Sequence, residues 1–361
     1  IYLDLADDGW RAVEISERGW EIVDGAPVRF RRSDGMRPLP IPEGGGSLDD
    51  LAEMVNVQDE DFELLTAALV AQLQPRGPYP LIELNGEHGT AKSSLSRVLK
   101  SIVDPNAAPL QSLPHSARDL AITARGRHVL AFDNVSDIQP WLSDALCRLA
   151  TGGGFITRQL YTDADEVIFD AIRPVILNGI EPIISRGDLA DRALIFTLRR
   201  ISERRRKTEE TFWAAFNERH HPRILGALLD RVVMGLRTKP NVKLERLPRM
   251  ADFAVWAVAC EGNTSGHNSD FIREYERNRL SATADVLDGN PVGAAILRFA
   301  RRQAEEWQGT TATLLRELNA IVGDEARKER DWPKNARKLA GQLRRLADLL
   351  RKMGVTVNSS K

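Results

Sequence analysis

LIELNGEHGTAKSS, residues 81–94, is the stretch whose reading decides the fold. An apolar strand runs into a loop of small residues that ends in Lys-Ser and opens a helix. From Gly86 to Ser93 the spacing is that of G-x-x-x-x-G-K-[ST], with Ala91 where the last glycine usually sits. Such a loop cradles phosphate. Glycines at 86 and 89 let the backbone approach an anion, and the amides of Glu87, His88, Gly89, Thr90 and Ala91 wrap it. The helix opening at Lys92, Ser93 and Ser94 adds its positive dipole end at the same point. Lys92 is expected to hold the β and γ phosphates of a nucleotide, and Ser93 to ligate magnesium. The competing reading is an ordinary glycine turn, against which the strand before and the helix after both count. Ala91 carries a methyl group where glycine is usual, so helix-like backbone angles are expected there.

The 361 residues exceed one typical domain, and 42% hydrophobic content is ample for a core. No run approaches the roughly 18 apolar residues of a membrane span, and no signal peptide opens the chain, so a cytoplasmic protein is expected. Cys147 and Cys260 form no partner pattern, which excludes a disulfide framework and a cysteine zinc site and leaves both as small core hydrophobes. Neither do the scattered histidines imply a metal site. The chain opens on Ile1, which leaves room for an upstream domain.

Formal charge is −1, but it is unevenly spread. Residues 1–74 hold 16 Asp/Glu against 6 Arg/Lys, whereas residues 291–361 hold 15 Arg/Lys against 8 Asp/Glu. The acidic end should repel nucleic acid and the basic end attract it, unless both are simply solvated surface.

Residues 1–42 alternate short β-like runs with Asp-Gly and Arg-Gly turns, which predicts a small β-rich module with Trp10 and Trp20 in its core. Pro38, Pro40, Pro42 and the GGGS at 44–47 read as its exit linker. From Leu48 to Leu73 the pattern is helical, ended by Pro75, Gly77, Pro78 and Pro80.

A second chemical signal follows about 40 residues after the loop, in HVLAFDN. Val129 to Phe132 form an apolar run that places Asp133 at a strand end, where a carboxylate can hold the magnesium of a bound nucleotide. Asn134 comes next. Asparagine orients water but takes no proton from it, so hydrolysis is either slow or served by another carboxylate such as Asp137 or Asp144. FITRQLYT and EVIFDA about the acidic turn DAD read as a hairpin. Arg158, Gln159 and Tyr161 on its flank are candidates for phosphate pairing and base stacking with a DNA strand. The strand RPVIL ends in Asn178, placed either to contact a γ phosphate or attacking water, or merely to begin an Asn-Gly turn.

Gly86 to Ser93, Asp133, the glycine-led hairpin, Asn178 and the later DLADR resemble, in that order, the superfamily 3-like AAA+ motors of phage, plasmid and prophage primase-helicases. The likeness covers roughly residues 48–260. It implies a P-loop ATPase using ATP and Mg2+, a hexameric ring with nucleotide at subunit interfaces, hairpins facing a pore, and movement on single-stranded DNA. By position Asn178 resembles the sensor-1 residue, Arg192 the arginine finger and Arg249 a sensor-2 arginine. Local pairing with Asp188 or Asp191 is the plain alternative for Arg192, with Arg186 as its substitute; pairing with Glu245 or Asp252 is the alternative for Arg249.

After the strand ALIFTL the basic run RRISERRRK reads as a solvated helix face or a phosphate contact. Residues 208–260 are expected to be helical throughout, as a lid, and GNTSGHNSD at 262–270 to be a flexible divider. The tail reads helix, helix, long helix, short strand (VTV), an order that suits a winged helix. Leu339, Leu343, Leu346, Leu350 and Met353 make a buried stripe on the long helix. Arg337, Lys338, Arg344, Arg345, Arg351 and Lys352 lie away from it, either solvated or resting on DNA.

The expected architecture is therefore α/β. It comprises an N-terminal β-rich module and linker (1–47), an AAA+ core with a mostly parallel sheet flanked by helices (48–207), a helical lid (208–290) and a winged-helix-like basic domain (291–361). The expected function is an ATP-dependent DNA helicase or translocase in replication of a mobile element. The alternatives are an ATP-gated DNA-binding or assembly switch that scaffolds a primase, and a regulatory or defence ATPase.

Overall fold

Alternating residues at the start of the chain form three strands, β1 (Tyr2–Asp4), β2 (Arg11–Ser16) and β3 (Gly19–Asp24), paired antiparallel in that order. The structure, a computed structural model, describes residues 1–153, 155–158, 166–169, 171–180, 182–329 and 331–358. Its contacts divide the chain into two units, one of Ile1–Ile183 with Asp191–Glu276 and one of Ile184–Ala190 with Arg277–Lys361.

In the first unit, Leu5, Val13 and Ile15 from the N-terminal sheet join the same apolar core as Leu225, Leu228 and Val232 much later in the chain. Trp20 is half-buried and donates from Nε1 to Asp230 at 2.8 Å. Trp10 departs from the core role expected of it. It is 54% exposed, and the Arg32 guanidinium, anchored on Asp4 at 2.7 Å, lies 3.8 Å from its ring centroid. A cation rather than core side chains shields that ring.

The Pro- and Gly-rich stretch read as a linker is strapped down instead. The Glu43 amide donates to the Pro222 carbonyl at 3.0 Å. A Cβ on Gly46 would stand 2.0 Å from the Arg223 carbonyl oxygen, and one on Gly226 would stand 1.8 Å from that of Glu43. Glycines on both sides let the two backbones touch, which composition alone cannot distinguish from a flexible tether.

Helix α1 (Leu48–Ala52), capped by Ser47, and α2 (Phe62–Gln72) replace the single helical run expected there. The break between them carries Asn56, whose side chain leaves the helical path to bind backbone elsewhere. Every residue of α2 from Leu64 to Gln72 is buried, as in a helix surrounded by core.

Then come β4 (Leu81–Asn85), α3 (Lys92–Val103), α4 (Ala117–Arg125), β5 (Leu130–Phe132) and α5 (Pro140–Thr151). The pair β6 (Phe155–Arg158) and β7 (Glu166–Phe169) forms the antiparallel hairpin, followed by β8 (Val175–Asn178), α6 (Gly187–Ala190) and β9 (Ala193–Thr197). Strands β5-β8-β4-β9 make one parallel sheet with β4 between β8 and β9. All five residues of β4 are buried, Glu83 among them, whose carboxylate accepts from the Ile183 amide at 2.8 Å.

A buried ion pair fixes α3 to β5. Lys100 is fully buried and donates from Nζ to Asp104 at 2.8 Å and to the Val129 carbonyl at 2.7 Å. The same Asp104 oxygen accepts from the amides of His128 and Val129. With every group satisfied, this knot sets the register between the helix that begins at Lys92 and the strand that leads to Asp133.

Helix α7 (Glu209–Ala215), a π-helical turn at Phe216–His220, α8 (His221–Thr238) and α9 (Ala251–Cys260) complete the first unit. The lid is not helical throughout, because Pro240 and Pro248 remove backbone donors and residues 242–250 run without helix. The 262–270 stretch is tied rather than loose: Glu261 accepts from Ser269 Oγ at 2.5 Å and from the Phe271 amide at 2.8 Å. Helix α10 (Asp270–Asp288) gives Phe271 and Tyr275 to the first unit's core and its remainder to the second unit.

The second unit holds α11 (Pro291–Arg301), α12 (Thr311–Ile321), α13 (Asp324–Lys328) and α14 (Ala336–Lys352). Asn290, Thr310 and Asn335 cap α11, α12 and α14, which pack on one another. Leu339, Leu343, Leu346 and Leu350 are buried as expected, Leu349 joins them, and Met353 is only half-buried. Among the described residues this unit contains no strand. Val355–Val357 was expected to be one, but a lone three-residue run has no neighbour with which to share its backbone hydrogen bonds.

Candidate nucleotide-binding site

Parallel strands end on the same edge, so the loop after β4, Asp133 after β5 and Asn178 at the end of β8 converge. They line a cleft of about 370 Å³ together with His88, Gly89, Thr90, Ala91, Lys92, Ser93, Ser94, Asn134, Gly179 and Ile180. Gly86 shapes the loop: at φ 155° a Cβ there would stand 2.8 Å from Thr90 Oγ1 and 3.3 Å from the Leu198 carbonyl. Gly89, at φ 81°, turns the tip.

Ala91 corrects the expectation for it. Its backbone is left-handed, φ 57° and ψ 34°, at the N-cap of α3, and its carbonyl already accepts from the Leu95 amide. The residue stands outside the helix it caps, so helical angles are not required of it, and the methyl is carried at a cost of about 1 kcal/mol.

Lys92 bends back, donating from Nζ to the carbonyls of Gly86 at 2.6 Å and Glu87 at 3.0 Å. Partial burial pushes its pKa down while Asp133 opposes the shift. Ser93 Oγ donates to Asp133 Oδ1 at 2.7 Å. A hydroxyl and a carboxylate so close, at the mouth of an amide-lined loop, form an oxygen donor set suited to a hard divalent cation. The residues fit magnesium and a nucleotide polyphosphate.

Asn178 is 2% exposed and uses its amide within the protein: Nδ2 donates to Ser96 Oγ at 2.7 Å and Oδ1 accepts from the Asn134 amide at 3.2 Å. It thus clamps the turn after Asp133, where Asn134 takes a left-handed φ of 56° that asparagine tolerates. Asp133 is the only acidic residue that lines the cleft among the described residues. Asp137 and Asp144 are exposed and lie outside that lining.

Other expected residues are not gathered here. The Arg192 carbonyl accepts from the Leu81 amide at the opposite end of β4, five residue steps and roughly 17 Å from Gly86 at strand spacing. Arg249 is exposed and absent from the cleft lining. Asp252 and Phe253, just beyond it in the chain, line a separate cavity of about 280 Å³ with Gln74, Gly77 and Lys239, ahead of β4. Of its proposed local partners, Glu245 is engaged by His267 at 3.0 Å. In the second unit Arg186 forms a fork on Asp188 at 2.9 and 3.2 Å. Gln159 and Tyr161 lie outside the described residues, and Arg158 is described only as the last residue of β6. Arg344 and Arg345 are exposed on α14.

Two residues at the site escaped sequence reasoning. Asn56 donates from Nδ2 to the Thr90 carbonyl at 2.7 Å and to the Arg199 carbonyl at 3.0 Å, tying the phosphate loop to the exit of β9. Arg206, within the run read as either a solvated helix face or a phosphate contact, follows an extended segment with a single 3-10 turn and stands beside Gly89. An interrupted helical pattern at Asn56 was the one signal available for the first; charge alone marked the second.

No helix among the described residues is long and apolar enough to cross a membrane. No curated protein matches the chain. In structure it is similar to the apo A form of the NrS-1 C-terminal region, at 13% identity and TM-score 0.43 over 91% of this chain and 72% of that one. It is also similar to the JCV helicase, at 11% identity and TM-score 0.32 over 52% and 55%. In sequence, residues 48–274 match the actinomycete integrative conjugative element replication protein, and residues 292–361 match the AICE RepA C-terminal domain. The chain belongs to this RepA family of mobile-element replication proteins.

Proposed function

We propose that the chain binds ATP and magnesium in the cleft at the ends of β4, β5 and β8, and works as a superfamily 3-like AAA+ motor on DNA during replication of its element. The observation that carries this reading is the 2.7 Å Ser93–Asp133 hydrogen bond at the mouth of the Gly86–Ser93 loop. Lys92 exchanges two carbonyls for the β and γ phosphate oxygens, while loop amides donate to the same anion. Ser93 and Asp133 hold magnesium, which neutralises charge building on those oxygens. Asn178 keeps the Asp133–Asn134 turn in place through Ser96. The Arg192 backbone stands at the far end of β4 from the loop, which supports a finger role across a subunit interface, in a proposed hexameric ring. Arg158 and Tyr161 are the proposed contacts to single-stranded DNA, Arg344 and Arg345 the proposed contacts to DNA phosphates, and a primase the proposed partner.

One observation favours a second reading. No carboxylate besides Asp133 lines the cleft among the described residues, and Asn134 cannot take a proton from water. A slow, ATP-gated assembly switch would have this site. ATP hydrolysis with and without single-stranded DNA separates the two, with Lys92→Ala as the blank. DNA-stimulated turnover lost in that variant is expected; ATP binding without a DNA response would remove the motor and leave the switch.

A further inference from the structure

The segment after β9 lies over the phosphate loop. The Leu198 amide donates to the Asn85 carbonyl at 2.8 Å, the Leu198 carbonyl borders Gly86, and Asn56 bridges the carbonyls of Arg199 and Thr90. Farther along, Arg206 is not itself among the residues that line the cleft, but its Nη2 lies 4.0 Å from the point where a Cβ on Gly89, which does line it, would stand. Among the described residues no hydrogen bond or ion pair holds its guanidinium, although Arg32, Arg173, Arg199 and Arg223 are each held by carboxylates or carbonyls. An exposed cation is thus brought to the tip of an anion-binding loop and left with its donors unused.

We infer that Arg206 is a phosphate-binding residue of the chain's own site, reaching over Gly89 to the terminal phosphates of a nucleoside triphosphate. The inference rests on the nucleotide reading above and deepens it. The start of α3, with Ser93 and Ser94, lies at the helix end of the loop, where the inner phosphates sit on helix amides. Lys92 reaches the β and γ phosphates, and Gly89, at φ 81°, turns the loop between Gly86 and Lys92 on the side that Arg206 approaches. A guanidinium facing that tip meets the phosphate that ATP has and ADP lacks. Its planar fork also suits phosphate oxygens better than an ammonium does. Since Asn56 holds the same segment to the loop, Arg206 reports the presence of the terminal phosphate to the exit of β9. Arg192 lies at the start of that strand.

The test is equilibrium binding of a fluorescent ATP analogue and of its ADP counterpart to the full chain, with Arg206→Ala, Arg206→Lys and Lys92→Ala. Arg206→Ala is expected to weaken the triphosphate about tenfold and the diphosphate less than twofold, with Arg206→Lys in between. Equal weakening of both ligands, or of neither, would overturn the assignment while leaving the nucleotide site intact, because Lys92→Ala must still lose both. Binding of neither ligand by the unmodified chain would overturn the nucleotide reading, and this inference with it. Arg206 is exposed, so unaltered thermal melting of its variants is expected and confirms that the loss is local.

Discussion

The two ends of the parallel sheet are built differently. At the carboxyl ends of the strands the chain is open and locally strained: Ala91 and Asn134 both hold left-handed angles, and Lys92 is satisfied only by carbonyls it can leave. At the amino ends three polar side chains are turned inward and paired. Lys100 is locked on Asp104 and Val129, the His128 ring on the Gln72 carbonyl at 2.7 Å, and the Tyr79 hydroxyl on the Gln74 carbonyl at 2.7 Å. Backbone strain collects where a ligand is proposed to bind, and paired anchors collect at the other end of the frame. The same contrast makes the site incomplete within one chain, since the arginine proposed to finish it lies at the anchored end.

The largest effect expected from this separation is kinetic. Arg192→Ala should leave ATP affinity within about twofold and lower turnover by about 10³, the usual scale for a missing arginine finger. Lys92→Ala should lose binding itself. If the two residues serve different subunits, mixing the two inactive variants restores part of the activity, because some interfaces then pair an intact Lys92 with an intact Arg192. Turnover by the mixture that stays at the level of the separate variants would break the trans assignment.

The two ends were also unequally legible in sequence. Gly86 to Ser93 and Asp133 follow a short-range pattern, because a phosphate loop is made by consecutive residues and a strand end by the apolar run before it. The sheet followed from four such runs, and α14 from its leucine spacing. Asn56, Arg206 and the Asn178–Ser96 bond were not legible, since each joins residues far apart in the chain and no local rule demands them. Trp10 and the strap at Glu43–Gly46 misled for a related reason: composition reports what a residue tolerates, whereas its neighbours decide what it does.

A middle-sized effect tests how tightly the first unit's helices are sealed, at the start of α8. His221 is buried and stacked on Phe216 at 4.8 Å, and burial lowers its pKa to about 4. Its folded pKa lies below the unfolded value of about 6.5, so the unfolded chain takes up the proton first. The stability tied to a neutral His221 is therefore complete above about pH 6.5 and lost as pH falls toward 4, by up to about 3 kcal/mol. Urea unfolding at pH 7, 5.5 and 4.5 should show the wild type losing more stability than His221→Leu over that range. Parallel curves would mean that the ring is solvated and that the start of α8 is less sealed than its stacking on Phe216 implies.

The smallest effect probes the strained end, and its sign matters more than its size. Ala91→Gly removes a methyl group from a left-handed position, which relieves about 1 kcal/mol, and adds unfolded-chain freedom that returns about half of it. A net gain of about 0.5 kcal/mol is expected, one or two degrees in Tm. Were Ala91 helical, the same change would instead destabilise by about 1 kcal/mol, as glycine does inside helices. Thermal melting without nucleotide reads the sign directly. A lower Tm would place Ala91 inside α3, shift the helix start by a residue and remove the strain from this end of the comparison. A higher Tm with unchanged nucleotide affinity would mean that the loop holds its shape before ligand arrives, so that the alanine burdens the fold without shaping recognition.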